Sequence, residues 1–116
     1  MKIGEVAQRA GVSTSRLRFY EAKGLLPPAA RGANGYRDYE VRTVKIIGMI
    51  ERAQNLGFSL KEIGAFLALP HELRSKPDAI ISLLQGKLRE LDAHLREVQR
   101  RRGQLKALLR ELGEGR

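Results

Sequence analysis

Apolar residues recur along this chain at helical spacing in nearly every segment. Ile3, Val6, Ala7 and Ala10 lie three and four positions apart and stop at Gly11, which accepts a left-handed backbone without a Cβ clash, so the pattern predicts a short first helix ending there. Ser13 stands where an N-cap belongs, "TSRLRFYEAK" follows, and Gly24 closes a second helix. Two short helices joined by a glycine turn read as helix-turn-helix. After "LLPP", the stretch "AARGANGYRDY" contains Asn34-Gly35, a pair suited to a two-residue hairpin turn in which both positions need positive φ. A small β wing is expected there.

From Glu40 to Asn55, Val41, Val44, Ile47, Ile50 and Ala53 keep the helical rhythm and predict a third helix packed on the first two. Glu40 occupies the place where Ser, Thr or Asp would ordinarily cap it. Gly57 ends this helix, and Ser59 with Glu62 forms an S-x-x-E capping box that opens a fourth helix through Leu69, with Leu60, Ile63, Phe66 and Leu67 on its apolar face. Two prolines in "LALPHELRSKP" interrupt the periodicity and mark a boundary near residue 70, with 71–77 as a linker. Beyond it, Ile81, Leu84, Leu88, Leu91, Leu95, Val98, Arg102, Leu105, Leu109 and Leu112 are separated alternately by three and four residues, the a/d seam of a coiled coil. A helix over 78–112 would extend about 52 Å at roughly 1.5 Å per residue, beyond what the small N-terminal core can cover. A second copy of the chain is the simplest partner, and the nine apolar seam residues are its expected interface. The remaining seam position, Arg102, must snorkel or meet an acid; an antiparallel pairing centred near Leu95 would bring it close to the partner's Glu90 and Asp92. Residues 113–116 are expected to form a short tail. The fold class is therefore mostly α, a winged helix-turn-helix unit over 1–70 followed by a long dimerisation helix.

Charge narrows the function. The 116 residues carry 22 Lys and Arg against 13 Asp and Glu, a formal +9 that favours a polyanionic partner, nucleic acid foremost. The excess is spread over both parts of the chain, so net charge alone does not locate a site. There is no cysteine, which removes disulfides, thiolate metal sites and cysteine nucleophiles, and His71 and His94 have no second ligand at metal spacing. No metal and no cofactor is expected. No nucleophile–base pair, paired carboxylate or phosphate-binding glycine loop suggests an enzyme. No window resembles a membrane span or signal peptide, so a soluble, cytoplasmic protein without membrane contact is expected.

The second helix presents Ser13, Thr14, Ser15, Arg16 and Arg18 in its first two turns while Leu17 points to the core. Small hydroxyl residues allow close approach to a base edge, and arginine reads guanine bidentately or clamps a phosphate, as a recognition helix requires. Arg31 and Arg37 flank the wing turn with Tyr36 and Tyr39 nearby, placing guanidinium and phenol groups for backbone phosphates; alternatively the tyrosines pack the wing onto the core. Lys61, in the first turn of the fourth helix, adds its charge to free N–H groups there and makes a phosphate anchor.

The string "IGEVAQRAGVSTSRLRFYEAKGLLPPAARGANGYRDY", with its motifs "LRFYE-x-x-GLL" and "NGYR-x-Y", closely resembles the MerR family of bacterial transcriptional regulators, and the likeness continues through "VKIIGMIERAQNLGFSLKEIGAFL" into the terminal helix. The resemblance implies a homodimer joined by an antiparallel coiled coil, bound to a pseudopalindrome in double-stranded promoter DNA, distorting the spacer so that RNA polymerase can use it. By the same resemblance the base-reading positions fall on Thr14, Ser15 and Arg16, with Arg18 and Tyr20 near the backbone, the wing arginine on Arg37 and the fourth-helix phosphate contact on Lys61. Ser15 departs from the lysine of some metal-sensing relatives, so a shared operator sequence is not implied. Metal-sensing members use cysteines around the dimer helix, whereas Lys76 and Pro77 stand at its start here; thiolate sensing is not expected, nor is an appended ligand domain. The effector is left open among a small-molecule or ionic signal, a partner protein and none. Two other readings fit the residues alone: an architectural or excisionase-like DNA-bending protein, and a coiled-coil adaptor whose basic face binds an acidic surface.

Overall fold

The first of two compact units, Met1–Arg74, is built around two short helices, α1 (Ile3–Ala10) and α2 (Thr14–Ala22), that pack on a longer one, α3 (Arg42–Asn55). The coordinates are those of a computed structural model and describe residues 1–113. Gly11 takes φ 72°, returning its N–H to the end of α1, and the Ser13 hydroxyl accepts from the Arg16 N–H at 3.0 Å. The turn between α1 and α2 is thus closed at both ends by the residues that the spacing singles out. Val6, Leu17, Ile47 and Ile50 are completely shielded from water, and Ala7, Tyr20, Leu25, Leu26, Tyr39, Phe58 and Ile63 complete the core. Burying each large aliphatic side chain of this kind contributes about 1.5–3 kcal/mol, so the contact of α1 and α2 on α3 dominates the stability of the unit.

The wing is an antiparallel pair, β1 (Ala30–Arg31) and β2 (Arg37–Asp38), with Arg31 opposite Arg37. Its tip corrects the two-residue turn expected at Asn34-Gly35. The loop spans Ala33, Asn34 and Gly35, closed by the Gly35 N–H to the Gly32 carbonyl at 3.0 Å and the Gly32 N–H to the Tyr36 carbonyl at 2.7 Å. Only Gly35 has positive φ, 80°. The Asn34 side chain accepts from the Tyr36 N–H, which lets the asparagine stay in an unstrained conformation and leaves the left-handed step to the glycine.

Two contacts anchor the wing. The N-terminal ammonium bonds to the Tyr39 carbonyl at 2.9 Å and pairs with Asp38, and the Tyr39 N–H reaches back to the Met1 carbonyl at 2.8 Å. On the other side, the Glu21 carboxylate of α2 accepts from the Tyr39 hydroxyl and lies 2.6 Å from the Arg37 guanidinium. Burial, then the bond to Glu21, pushes the Tyr39 phenol above its ordinary value of 10.0.

α3 begins at Arg42, two residues later than the pattern places it. No side chain caps it, and Glu40 instead pairs with Arg42 while its carbonyl accepts the Thr43 N–H. Val41, expected on the apolar face, is 71% exposed and precedes the helix; Thr43 takes the inward position and is fully buried. The register of the face is set by Ile47 and Ile50, and Thr43 lies one turn before Ile47. Its hydroxyl has no hydrogen-bond partner among the described residues. α4 (Leu60–Leu67) opens with the expected capping box, Ser59 and Glu62 each bonding the other's backbone N–H at 3.1 and 2.9 Å. The stretch expected as a plain linker contains a single helical turn, α5 (His71–Arg74), because the Pro70 carbonyl accepts from the N–H groups of both Leu73 and Arg74.

The second unit is one helix, α6 (Pro77–Glu111), which begins at a proline whose fixed φ suits a first helical position. Gly103 does not interrupt it. Glu97 pairs with Arg100 and Arg101, and the bond from Arg100 holds its carboxyl below the usual range. The nine apolar seam residues are all at least 42% exposed, a stripe broken only at Arg102 and left uncovered along more than thirty residues. The tail expected at 113–116 lies, from 114 onward, outside the described residues.

Two outcomes follow from this packing. Thr43→Val keeps the shape and removes a buried unpaired hydroxyl, so its urea unfolding midpoint should be unchanged or higher, by up to about 1 kcal/mol; a loss of that size would mean the hydroxyl is bonded in solution. Because the Tyr39 phenol is raised in the folded chain, its contribution is complete below the ordinary value of 10.0 and is lost as pH climbs through the raised one. Alkaline unfolding should therefore be less steep in Tyr39→Phe than in the unmodified chain, and equal slopes would refute the assignment.

Candidate nucleic-acid interface

The first turns of α2 face solvent because Leu17 and Tyr20 face inward. Thr14, Ser15, Arg16 and Arg18 are all exposed on this helix, Leu17 is completely buried and Tyr20 is 1% exposed. The helix therefore presents small hydroxyls and two arginines outward on a core-anchored frame, as direct readout of a groove demands.

Two grooves flank that surface. One, of about 720 Å³, lies among the start of α1, the middle of α2 and the wing, and gathers Lys2, Arg18, Arg31, Tyr36 and Arg37. Four of these are the residues to which the sequence assigns backbone contacts. Lys2 joins them, its ammonium 5.1 Å from the centre of the Tyr36 ring, a cation–π contact that keeps both at the rim. Tyr36 is 63% exposed and free to meet phosphate, whereas Tyr39 is buried and packs the wing, as its alternative reading holds. Arg18 and Arg31 have no acidic partner among the described residues. Arg37 has one, Glu21, which fixes its direction and offsets part of its charge.

The second groove, of about 470 Å³, is lined by Ser13, Ser15, Arg16, Phe19, Tyr20 and Gln54. Arg16 does not extend freely into solvent. Its Nε donates to the Tyr20 hydroxyl at 2.8 Å and lies 2.8 Å from a Glu51 oxygen, and its Nη2 donates to the other Glu51 oxygen at 2.9 Å. The Tyr20 hydroxyl in turn donates to Gln54 at 2.8 Å. Hydrogen bonding to Tyr20, then the neighbouring charges, raises the Arg16 pKa and keeps the guanidinium charged.

Tyr20, placed near the DNA backbone by resemblance, has its ring in the core and its hydroxyl at the second groove, engaged by Gln54 and Arg16. Lys61 is exposed in the first turn of α4 but lines neither groove. Ser13 is the N-cap of α2 and borders the second groove. Sequence reasoning missed Lys2, Glu21, Glu51, Gln54 and Phe19. Of these only Phe19 left a local signal, an apolar residue on the outer side of α2; it is 46% exposed, with the Lys23 ammonium 5.6 Å from its ring centre. The described residues hold no cluster of His, Asp or Glu able to bind a metal ion, and none of their helices is long and apolar enough to cross a membrane.

Comparison with known proteins places this surface in a lineage. Residues 1–69 match the model of the MerR HTH family regulatory proteins, and residues 44–112 match a second model described as MerR, DNA binding. The chain is 34% identical over 108 residues to the HTH-type transcriptional regulator CueR of Salmonella typhimurium, covering 93% of this chain and 78% of that protein. It is 37% identical over 109 residues to the regulator HmrR of Rhizobium leguminosarum, covering 94% and 84%. Among solved structures it is similar to the N-terminal part of the Bacillus subtilis multidrug transporter activator, MtaN, with a TM-score of 0.71, 27% identity and 97% of each chain covered. With the winged helix-turn-helix, the outward α2 surface and the long terminal helix all in place, the chain belongs to the MerR family of DNA-binding transcriptional regulators.

Proposed function

We propose that this regulator binds a pseudopalindromic promoter operator as a homodimer, in the cytoplasm, and distorts the unread DNA between the half-sites so that RNA polymerase engages the promoter differently. The observation that carries the reading is the convergence of Arg18, Arg31 and Arg37 with Lys2 and Tyr36 on one groove beside an outward-facing α2. Thr14, Ser15 and Arg16 face base edges in the major groove. Arg18, Arg31, Tyr36 and Arg37 hold phosphates on either side, with Lys61 as a further phosphate anchor on α4. Two such units, joined through the apolar seam of α6, reach successive major grooves on one face of the duplex, and the spacing of half-sites follows from the length of the paired helices. Deformation of the central base pairs then adds specificity at positions that no side chain touches.

What supports dimerisation is the stripe itself: Ile81, Leu84, Leu88, Leu91, Leu95, Val98, Leu105 and Leu109 lie on one helix and Leu112 caps its end, all of them exposed. A solvated row of leucines at this spacing is the pattern that coiled coils bury. Leu95→Asp should yield a monomer in sedimentation and abolish operator binding while leaving the helix-turn-helix unit folded; a dimer of undiminished affinity would refute the seam. Arg18→Ala should weaken binding to selected and scrambled duplexes alike and lower the slope of log affinity against log salt by about two per dimer, one released contact from each protomer. A loss confined to the selected duplex would instead make Arg18 a base reader.

A further inference from the structure

We propose that Glu51 is a specificity-determining residue of the DNA-reading surface: from α3 it holds the Arg16 guanidinium as a neutralised, aimed fork that a base edge can recruit and a bare phosphate cannot. The inference rests on the reading of α2 as the recognition helix and adds to it a residue on a different helix, 35 positions away in sequence.

The geometry has three parts. One Glu51 oxygen accepts from Arg16 Nη2 at 2.9 Å and the other lies 2.8 Å from Nε, an ion pair along the side of the guanidinium. Tyr20, whose ring is locked in the core, receives the Nε hydrogen at 2.8 Å, and Gln54 holds the Tyr20 hydroxyl at 2.8 Å. The ring of Tyr20 also lies 5.7 Å from the guanidinium carbon. Arg16 is therefore braced from behind by two residues of α3 and one of its own helix. The bonds run from Nε and Nη2 and leave Nη1 for an acceptor in the groove shared with Ser13, Ser15 and Phe19.

Charge separates the two kinds of acceptor. A guanine edge offers neutral oxygen and nitrogen atoms, which Nη1 can reach while Glu51 remains on the other side of the fork. A phosphate brings a full negative charge beside the Glu51 carboxylate, and the repulsion opposes its taking Arg16. Arg18, with no acidic partner among the described residues, is the contrasting case on the same helix. One arginine of α2 is thus reserved for bases and the next is open to any backbone.

The test uses the full-length protein, a duplex selected by it from a random library, and a scrambled duplex of the same composition, each titrated over a range of salt. Glu51→Gln keeps the shape of a partly exposed side chain, and thermal melting without DNA establishes that the fold is intact. The expected result is a rise of about three- to tenfold in affinity for scrambled duplex, a salt slope steeper by about two per dimer, and a selected-to-scrambled ratio reduced by a similar factor. In an Arg16→Ala background the same substitution should change none of these. An unchanged ratio in Glu51→Gln would overturn the proposal while leaving the recognition helix in place. An equal effect with and without Arg16 would also overturn it, because Glu51 would then act only as a diffuse charge. A wild-type protein that fails to prefer its selected duplex would overturn the reading of α2 together with the proposal.

Discussion

The α2 surface of this regulator depends on the water-free contact among Val6, Leu17, Tyr20, Ile47 and Ile50, where α1 and α2 sit on α3. A helix of nine residues such as α2 is too short to hold its shape alone, since isolated helices of that length are marginal in water. Leu17 and Tyr20 give α2 its orientation, and the same periodicity that turns them inward turns Thr14, Ser15, Arg16 and Arg18 outward. The Ser13 cap and the left-handed Gly11 fix where α2 begins, so the proposed reading residues are positioned by burial and by backbone geometry together.

A second constraint is electrostatic. A formal charge of +9 would by itself favour indiscriminate attachment to any polyanion. Individual acids moderate it where precision matters: Glu21 directs Arg37 and ties the wing to α2 through Tyr39, and Glu51 engages Arg16. Arg18 and Arg31 lack such partners among the described residues, and on the proposed reading they supply the unrestricted attraction. On that reading the interface is graded, with paired arginines where direction matters and free ones where attraction suffices.

Features written in local sequence were legible and those written in distant pairs were not. Gly11, the Ser13 cap, the Ser59–Glu62 box and the heptad rhythm of α6 each depend on residues within a few positions of one another, and the helices follow them closely. The wing tip departed from expectation because Asn34 can satisfy the Tyr36 N–H with its side chain, an option that the Asn-Gly pair does not reveal. Val41 and Thr43 exchanged roles because the inward face of α3 is set by its fit to α1 and α2, to which a short apolar count is blind. Glu21, Glu51 and Gln54 read as ordinary surface residues until folding brings them 18 to 38 positions back to Tyr39, Arg16 and Tyr20. The thirteen charged residues of α6 say little about its role; the uncovered leucines say more, since nothing within a single helix can remove them from water.

The central claim is that two α2 surfaces, held at a fixed distance by paired α6 helices, read one site together. Footprinting of a genomic fragment retained by the purified protein tests it most directly. The account predicts two protected half-sites related by approximate two-fold symmetry, on one face of the duplex, flanking a segment whose central base pairs are distorted. A single unsymmetrical footprint, or uniform protection without boundaries, would contradict it.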